Sequence, residues 1–167
     1  DDLAGTFACA AKEIGTDVYL VTSDKDYLQL IDENVKVVLT KKGVTNIVEM
    51  DLKSMEDEYG LTPAQFIDLK ALMGDSSDNI PGVAGVGEKT ALKLMHEYQS
   101  LDNIYENIDN IKGKLKEKLQ TDKMQAYMSQ TLARIVTDIP IDFNIEELKV
   151  QKPDAKELMN LYDDLEF

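Results

Sequence analysis

The fold of this chain is decided by Val18-Tyr19-Leu20-Val21-Thr22-Ser23-Asp24-Lys25-Asp26. The first four residues are apolar and rich in β-forming side chains, which predicts a short strand buried on both faces of a parallel sheet. Asp24 and Asp26 follow this strand directly, and open α/β sheets place their ligands beyond the carboxyl ends of strands. The stretch therefore predicts an α/β protein with a binding site at the end of this strand.

The neighbouring sequence supports the α/β class. Residues 3–14 carry apolar side chains at helical spacing and stop at Gly15, a common helix C-terminal residue. Val35–Leu39 and Val44–Val48, separated by Thr40-Lys41-Lys42-Gly43, are typical of a hairpin. We expect a partial, mostly parallel sheet with flanking helices.

Helical patterns dominate from residue 51 onward. Thr62-Pro63-Ala64-Gln65 is a good helix start, with a capping Thr62, Pro63 at the first helical position and Gln65 able to reach back. A loop rich in Gly, Ser, Asp and Pro spans Gly74 to Gly87. Further helices are predicted at 88–98, 101–109, 113–119 and 122–136, and after Pro153. We divide the chain into an α/β core (1–60), a helical region (61–137) and a C-terminal segment packing back on the core (138–167).

Composition limits the classes of function. The sequence has no apolar run near the ~18 residues of a membrane span and no basic N-terminal start, and Cys9 is its single cysteine. A cytoplasmic protein without membrane partners is the expectation. The net charge of −14 argues against nucleic-acid binding, but it is uneven: residues 84–137 hold 8 basic and 7 acidic side chains. Lysines 112, 114, 116 and 118 within that segment suit either a solvated helix face or phosphate contact.

Three acidic clusters stand out: Asp1-Asp2, Asp24-Lys25-Asp26 and Asp75-Ser76-Ser77-Asp78. Each pair alone is compatible with ordinary caps and turns. Carboxylates gathered at one point repel unless a cation neutralises them, and hard oxygen ligands suit Mg²⁺ or Mn²⁺. Two such ions together activate water and stabilise a leaving oxygen in phosphodiester hydrolysis.

A glycine-rich block precedes the helix at residue 88: Ile80-Pro81-Gly82-Val83-Ala84-Gly85-Val86-Gly87-Glu88-Lys89-Thr90-Ala91. Its glycines let the backbone approach a phosphate, which the free N–H groups of a helix start attract. Gly82 and Gly87 have the spacing of a nucleotide-binding P-loop, but Glu88 intervenes before Lys89-Thr90 and no strand precedes the block. The context favours a helix-hairpin-helix that grips a DNA backbone, with a purely structural turn as the alternative.

The Asp1-Asp2-Leu3-Ala4 start, the segment from Thr22 to Leu30 and the block from Gly74 to Ala91 together resemble the 5′-nuclease domain of bacterial DNA polymerase I. The resemblance covers essentially the whole chain in order. It implies a metal-dependent 5′→3′ exonuclease and 5′-flap endonuclease of DNA replication and repair in the bacterial cytoplasm, associated with the nucleoid. Its expected partners are DNA with a 5′ flap, nick or RNA primer, and a covalently linked polymerase domain.

The resemblance also implies roles for individual residues. The metal ligands, for two or more Mg²⁺ or Mn²⁺ ions, would be Asp1, Asp2, Asp24, Asp26, Asp75 and Asp78, and all but Asp1 would be catalytic. The contacts to DNA would come from Gly82, Val83, Gly85, Val86, Gly87, Lys89 and Thr90, with K⁺ as a further ion on the hairpin carbonyls.

The pattern departs from the family at its start. The family places a glutamate ligand two positions before the first aspartate of the Asp1-Asp2 pair, and earlier strands supply further aspartates. We therefore expect an N-terminally truncated fragment with weak or no cleavage activity. Two other interpretations are a non-catalytic helix-hairpin-helix DNA-binding module and a small-molecule phosphatase, although the second leaves residues 80–91 unexplained.

Overall fold

A computed structural model describes residues 1–42 and 46–167 of the chain. Three strands form one sheet in the order β1 (Val18–Thr22), β2 (Val35–Lys42) and β3 (Asn46–Met50). β1 and β2 are parallel, whereas β2 and β3 pair as the predicted antiparallel hairpin. The α/β class is thus confirmed, with a small mixed sheet of one parallel and one antiparallel pairing. Residues 43–45 of the predicted hairpin lie outside the described residues.

One expectation about β1 is wrong. Leu20 packs against the core, but Tyr19 and Val21 on the opposite face are 54 % and 69 % exposed. β1 is an edge strand of the sheet. Within the described residues, no element covers the face that carries these two side chains.

The helices follow the predicted spacing. α1 spans Asp2–Glu13 and precedes β1, and α2 spans Leu52–Tyr59 after β3. The later helices are α3 (Pro63–Met73), α4 (Glu88–Tyr98), α5 (Leu101–Glu106), α6 (Gly113–Thr121), α7 (Lys123–Ala133) and α8 (Ala155–Asp164). Short 3₁₀ helices cover Lys25–Leu30, Ile108–Asn110 and Ile145–Leu148. No helix among the described residues is long and apolar enough to cross a membrane.

Helix α3 lies at the centre of the core. Its start is the predicted capping box: Gln65 N donates to Thr62 Oγ1, and Thr62 N donates to Gln65 Oε1. Its buried side chains pack against α4, α5, α7 and the 3₁₀ helix after β1, and include Phe66, Leu69 and Leu72. The sheet side and the helical side of the molecule therefore share this helix.

The chain after α7 returns to α1. Val136 N donates to Asp2 Oδ1 (2.9 Å), and the Phe143 ring meets Phe7 edge-on at 4.5 Å. Helix α8 buries none of its residues. The return of the C-terminal segment to the core thus runs through the residues before α8.

The loop after α3 is closed by contact between two glycine backbones. Asp75 and Ile80 exchange two backbone hydrogen bonds of 2.8 Å, so the chain turns back on itself between them. Gly74 and Gly82 then lie so close that a Cβ on Gly82 would stand 2.3 Å from Gly74 N. Gly82 also has a φ of +61°, which disfavours any side chain. This contact places Asp75 and Asp78 on a tight loop.

We expect Gly82→Ala to destabilise the fold by about 3 kcal/mol, because left-handed strain adds to a clash with rigid backbone. Gly15→Ala is the matched control: φ is +71°, but a Cβ there meets nothing within 4 Å. It should cost only about 1 kcal/mol. Urea unfolding of both variants measures the difference, and equal losses would contradict the role of the close contact.

Candidate metal centre and nucleic-acid interface

A cavity of about 550 Å³ opens beyond the carboxyl end of β1. Its walls come from the turn after β1, from α2 and α3, from the loop after α3 and from the start of α4. Its charged and polar lining residues include Asp24, Lys25, Lys70, Asp75, Asp78 and Glu88. The position is the one predicted from the strand-end aspartates.

The turn after β1 orients its two aspartates differently. Asp24 caps the following 3₁₀ helix, with its Oδ1 accepting from Asp26 N at 2.8 Å. Asp26 points inward and is only 7 % exposed. Asp24 therefore combines a structural cap with a place in the cavity wall, whereas Asp26 is a buried carboxylate.

The loop after α3 brings a second pair of aspartates to the same place. Asp75 Oδ1 accepts hydrogen bonds from the backbone N (2.9 Å) and hydroxyl of Ser77. Asp78 is exposed at the cavity edge. Carboxylate oxygens of Asp26, Asp75 and Asp78 all lie within 4.8 Å of one another. Residues nearly fifty positions apart in sequence thus form one cluster.

Lys70 of α3 reaches into this cluster. Its Nζ lies 2.5 Å from Asp26 Oδ1 and also pairs with Asp75 Oδ2. The lysine side chain is 7 % exposed, so both ion pairs are shielded from water. Asp26 Oδ1 has no well-aligned hydrogen bond among the described residues, so the Lys70 ion pair is its compensation.

The pKa values follow from this arrangement. Burial raises the pKa of Asp26, and Lys70 opposes that shift. Hydrogen bonds from Lys70 and Ser77 hold the pKa of Asp75 well below its ordinary value. Burial would lower the pKa of Lys70, but the two carboxylates raise it above its ordinary value. Lys70 is therefore an ammonium, and Asp75 a carboxylate, at neutral pH.

The donor set suits a hard divalent cation. Asp26, Asp75 and Asp78 offer carboxylate oxygens close enough to share one ion, and Asp24 and Glu88 line the same cavity. The buried Asp26 also faces an excess of negative charge that one ammonium does not fully neutralise. The residues present therefore fit a metal ion of the Mg²⁺ or Mn²⁺ type.

Asp1 and Asp2 are placed elsewhere. Asp1 is the exposed residue before α1, and Asp2 Oδ1 accepts from the backbone of Val136. Neither residue lines the cavity formed by the described residues. The structure thus brings four of the six predicted ligands to the end of β1: Asp24, Asp75 and Asp78 line the cavity, and the buried Asp26 clusters with the last two. Asp1 and Asp2 lie instead at the start of α1.

The glycine-rich block forms the loop between α3 and α4. Val83 and Val86 are buried and anchor it, whereas Gly85 and Gly87 are exposed. Gly87 precedes α4 without a side-chain cap, and no backbone oxygen of the described residues accepts from the N–H groups of residues 87–89. An uncapped helix start of this kind attracts anionic oxygens such as phosphate.

Helices α6 and α7 support this loop from behind. Gly82 N donates to Ser129 Oγ (3.0 Å), and Gln125 Nε2 donates to Gly82 O (2.7 Å). Lys118 Nζ donates to Gly85 O at 3.0 Å, and Ala84 N donates to Asp122 Oδ2. Of the remaining predicted contact residues, Lys89 is exposed and Thr90 is partly buried on α4. The loop is held rigidly with its helix start facing outward.

The sequence reasoning missed Lys70. A signal was present: α3 is buried around most of its circumference, so a lysine within it requires a buried counter-charge. Glu88 is also absent from the predicted site, because in the sequence it only interrupts a P-loop pattern. Its position in the cavity wall places the start of α4 beside the carboxylate cluster.

Comparison with protein families divides the chain into two matches. A family described as 5′-3′ exonuclease, C-terminal SAM fold matches residues 61–156. A second, described as 5′-3′ exonuclease, N-terminal resolvase-like domain, matches residues 1–60. Among curated relatives, DNA polymerase I of Streptococcus pneumoniae is 51 % identical over 168 residues. That match covers 100 % of this chain and 19 % of the relative, so the chain spans about one fifth of that protein's length.

Solved structures of T5 nucleases are also similar to this chain. T5 5′-exonuclease with bound zinc superposes with a TM-score of 0.65 at 28 % identity, covering 80 % of this chain and 50 % of the other. Bacteriophage T5 flap endonuclease in a pseudo-enzyme-product complex with DNA and metal ions gives a TM-score of 0.69 at 26 % identity. The second match covers 81 % of this chain and 49 % of the phage protein.

We expect Asp75→Asn to change the pH dependence of stability in metal-free buffer. The folded-state pKa of Asp75 lies below the 3.8 of an ordinary aspartate, so the carboxylate stabilises the fold above about pH 4. That contribution is lost as the pH falls through the folded-state pKa. The difference in free energy of unfolding between wild type and variant should shrink between about pH 6 and about pH 2 in urea titrations. A difference in free energy of unfolding that does not change with pH would contradict the lowered pKa of Asp75.

Proposed function

The chain belongs to the 5′-3′ exonuclease family, and from this membership we propose that it is the nuclease part of a protein of the DNA polymerase I type. Its activity would be metal-dependent 5′→3′ exonuclease and 5′-flap endonuclease cleavage of DNA. The observation that carries the proposal is the convergence of Asp26, Asp75 and Asp78 within 4.8 Å at the end of β1.

The carboxylates would hold two or more Mg²⁺ or Mn²⁺ ions, with Asp24, Asp26, Asp75 and Asp78 as ligands and Asp1 and Asp2 as further candidates. Ions bound there would supply an activated water and charge stabilisation for the leaving oxygen. Asp26 would be a buried ligand at the bottom of the site, and the hydrogen bonds from Ser77 fix the orientation of Asp75. Asp78, at the exposed edge of the cavity, would supply a ligand on the side open to the substrate.

The loop between α3 and α4, which is the hairpin of the proposed helix-hairpin-helix, would hold the duplex part of the substrate. The exposed backbone at Gly85 and Gly87, the start of α4 and the Lys89 ammonium would contact phosphates, while Val83 and Val86 anchor the loop beneath them. Thr90 lies one residue farther along α4. Because Glu88 lines the metal cavity, the grip on the duplex and the cleavage site would be adjacent.

A K⁺ ion is proposed at the hairpin carbonyls. Gly85 O accepts from the Lys118 ammonium, so this carbonyl faces a cation, and a K⁺ ion at the same oxygen would replace the Lys118 contact. The wider partners would be DNA with a 5′ flap, nick or RNA primer and a covalently linked polymerase domain. The proposed setting is the bacterial nucleoid, in keeping with the source of the related polymerase.

Cleavage of a labelled 5′-flap duplex in Mn²⁺ tests the nuclease assignment. The weak cleavage expected of the wild-type fragment should depend on Mn²⁺ and should fall by at least about 100-fold in an Asp75→Asn, Asp78→Asn double variant. An Asp57→Asn, Asp109→Asn double variant makes the same change in charge outside the cavity and should cleave normally.

The binding of the same duplex distinguishes the alternative function. Binding in all three proteins, with no cleavage above background in any, would show a DNA grip without a working metal site, as expected of an incomplete nuclease site and of a non-catalytic helix-hairpin-helix module alike. Equal cleavage by both double variants would contradict the assigned carboxylates.

Lys89→Ala tests the hairpin contact. A lysine on a phosphate releases about one counter-ion, so the variant should lower the slope of log K against log salt concentration by about 1 and weaken binding to all sequences alike. Lys53→Ala is the control, because Lys53 lies on α2 and pairs with Asp57. An unchanged slope in Lys89→Ala, measured by fluorescence anisotropy, would remove Lys89 from the interface.

A further inference from the structure

Lys70 differs from the other paired lysines of the described residues. Both side chains of its ion pair with Asp26 are at most 10 % exposed, whereas those of Lys53 and Asp57 are 80 % and 64 % exposed. Exposed pairs contribute little to stability, but a buried charge that loses its partner destabilises a fold strongly. The Lys70 pairs therefore carry a structural consequence that the surface pairs do not.

The ammonium also occupies oxygens that a metal ion needs. Lys70 Nζ contacts Asp26 Oδ1 and Asp75 Oδ2, while Ser77 holds Asp75 Oδ1. A divalent ion shared by Asp26, Asp75 and Asp78 must use an Asp75 oxygen that already has a partner. It must also approach a fixed positive charge in a poorly hydrated place, where charges interact more strongly than in water.

We propose that the Lys70 ammonium is a built-in counter-ion of the metal centre, which holds Asp26 and Asp75 together before a divalent ion binds and competes with that ion for their oxygens. The proposal rests on the proposed metal-dependent function. It gives Lys70 a positioning role: the lysine preforms the carboxylate cluster, and the cost of preforming it is weaker metal binding.

The first consequence concerns stability without metal. In Lys70→Met, which keeps the length and apolar stem of the side chain, Asp26 and Asp75 lose their counter-charge. The melting temperature in EDTA should fall by roughly 10 °C. Saturating Mn²⁺ should recover at least half of this loss, because the ion supplies the missing charge. Lys53→Met, the same substitution at an exposed pair, should change neither value by more than about 1 °C.

The second consequence concerns metal affinity. Titration calorimetry with Mn²⁺ alone should give a Kd at least about tenfold lower for Lys70→Met than for wild type. An equal or higher Kd would overturn the competition. A melting temperature in EDTA equal to that of wild type, or a loss that Mn²⁺ does not reduce, would overturn the counter-ion role. Absence of Mn²⁺ binding by the wild type would instead refute the proposed metal centre, and the EDTA comparison would still test the counter-ion.

A third variant covers the case in which Lys70→Met does not fold in EDTA. Lys70→Met combined with Asp26→Asn removes both buried charges and keeps the volumes similar. We expect this double variant to be more stable in EDTA than Lys70→Met alone, because no uncompensated charge is left at Asp26. A double variant no more stable than the single one would assign the loss to packing and overturn the proposal.

Discussion

The buried ion pairs of Lys70 with Asp26 and Asp75 are the constraint on which the rest of the structure depends. Asp26 belongs to the turn after β1, Lys70 to α3 and Asp75 to the loop that follows α3. Removing such charges from water costs several kcal/mol each, and the cost is offset only when opposite charges meet closely. The sheet region and the helical region, which match separate family descriptions, must therefore dock in one geometry at this point.

The loop between α3 and α4 joins the carboxylate cluster to the glycine-rich start of α4. The contact between Gly74 and Gly82 closes the acidic turn, and the next residues form the outward-facing loop before α4. Ser129 and Gln125 of α7 hold both backbone groups of Gly82. A duplex phosphate on the hairpin and an ion on Asp75 would thus be positioned by one short, rigid piece of chain, without any mobile linker between them.

Local patterns sufficed to predict most of the fold and part of the site. The strand followed by Asp24 and Asp26 located the cavity. The capping residues Thr62 and Gln65 located α3, and the glycine-rich loop before residue 88 located the start of α4. Lys70 escaped prediction because periodicity does not say which charged residue of a buried helix finds a partner far away in sequence. The exposure of Tyr19 and Val21 was not predicted for a related reason. An apolar strand sequence shows that the strand can be buried, but whether it is buried depends on another element that covers it. Asp1 and Asp2 remain predictions as ligands.

The net charge of −14 does not oppose the proposed phosphate binding at the loop before α4. Charges farther apart than about 8–10 Å are largely screened at physiological salt, so a phosphate responds mainly to its immediate neighbours. Near the loop before α4 those neighbours include the uncapped helix start and the lysines at 89 and 118, beside the carboxylates of Glu88 and Asp122. Several of the acidic residues lie instead in the cavity, where Lys70 neutralises part of their charge and a divalent ion would neutralise more. Part of the acidity that argues against a nucleic-acid ligand is thus the acidity that the proposed hydrolysis would require.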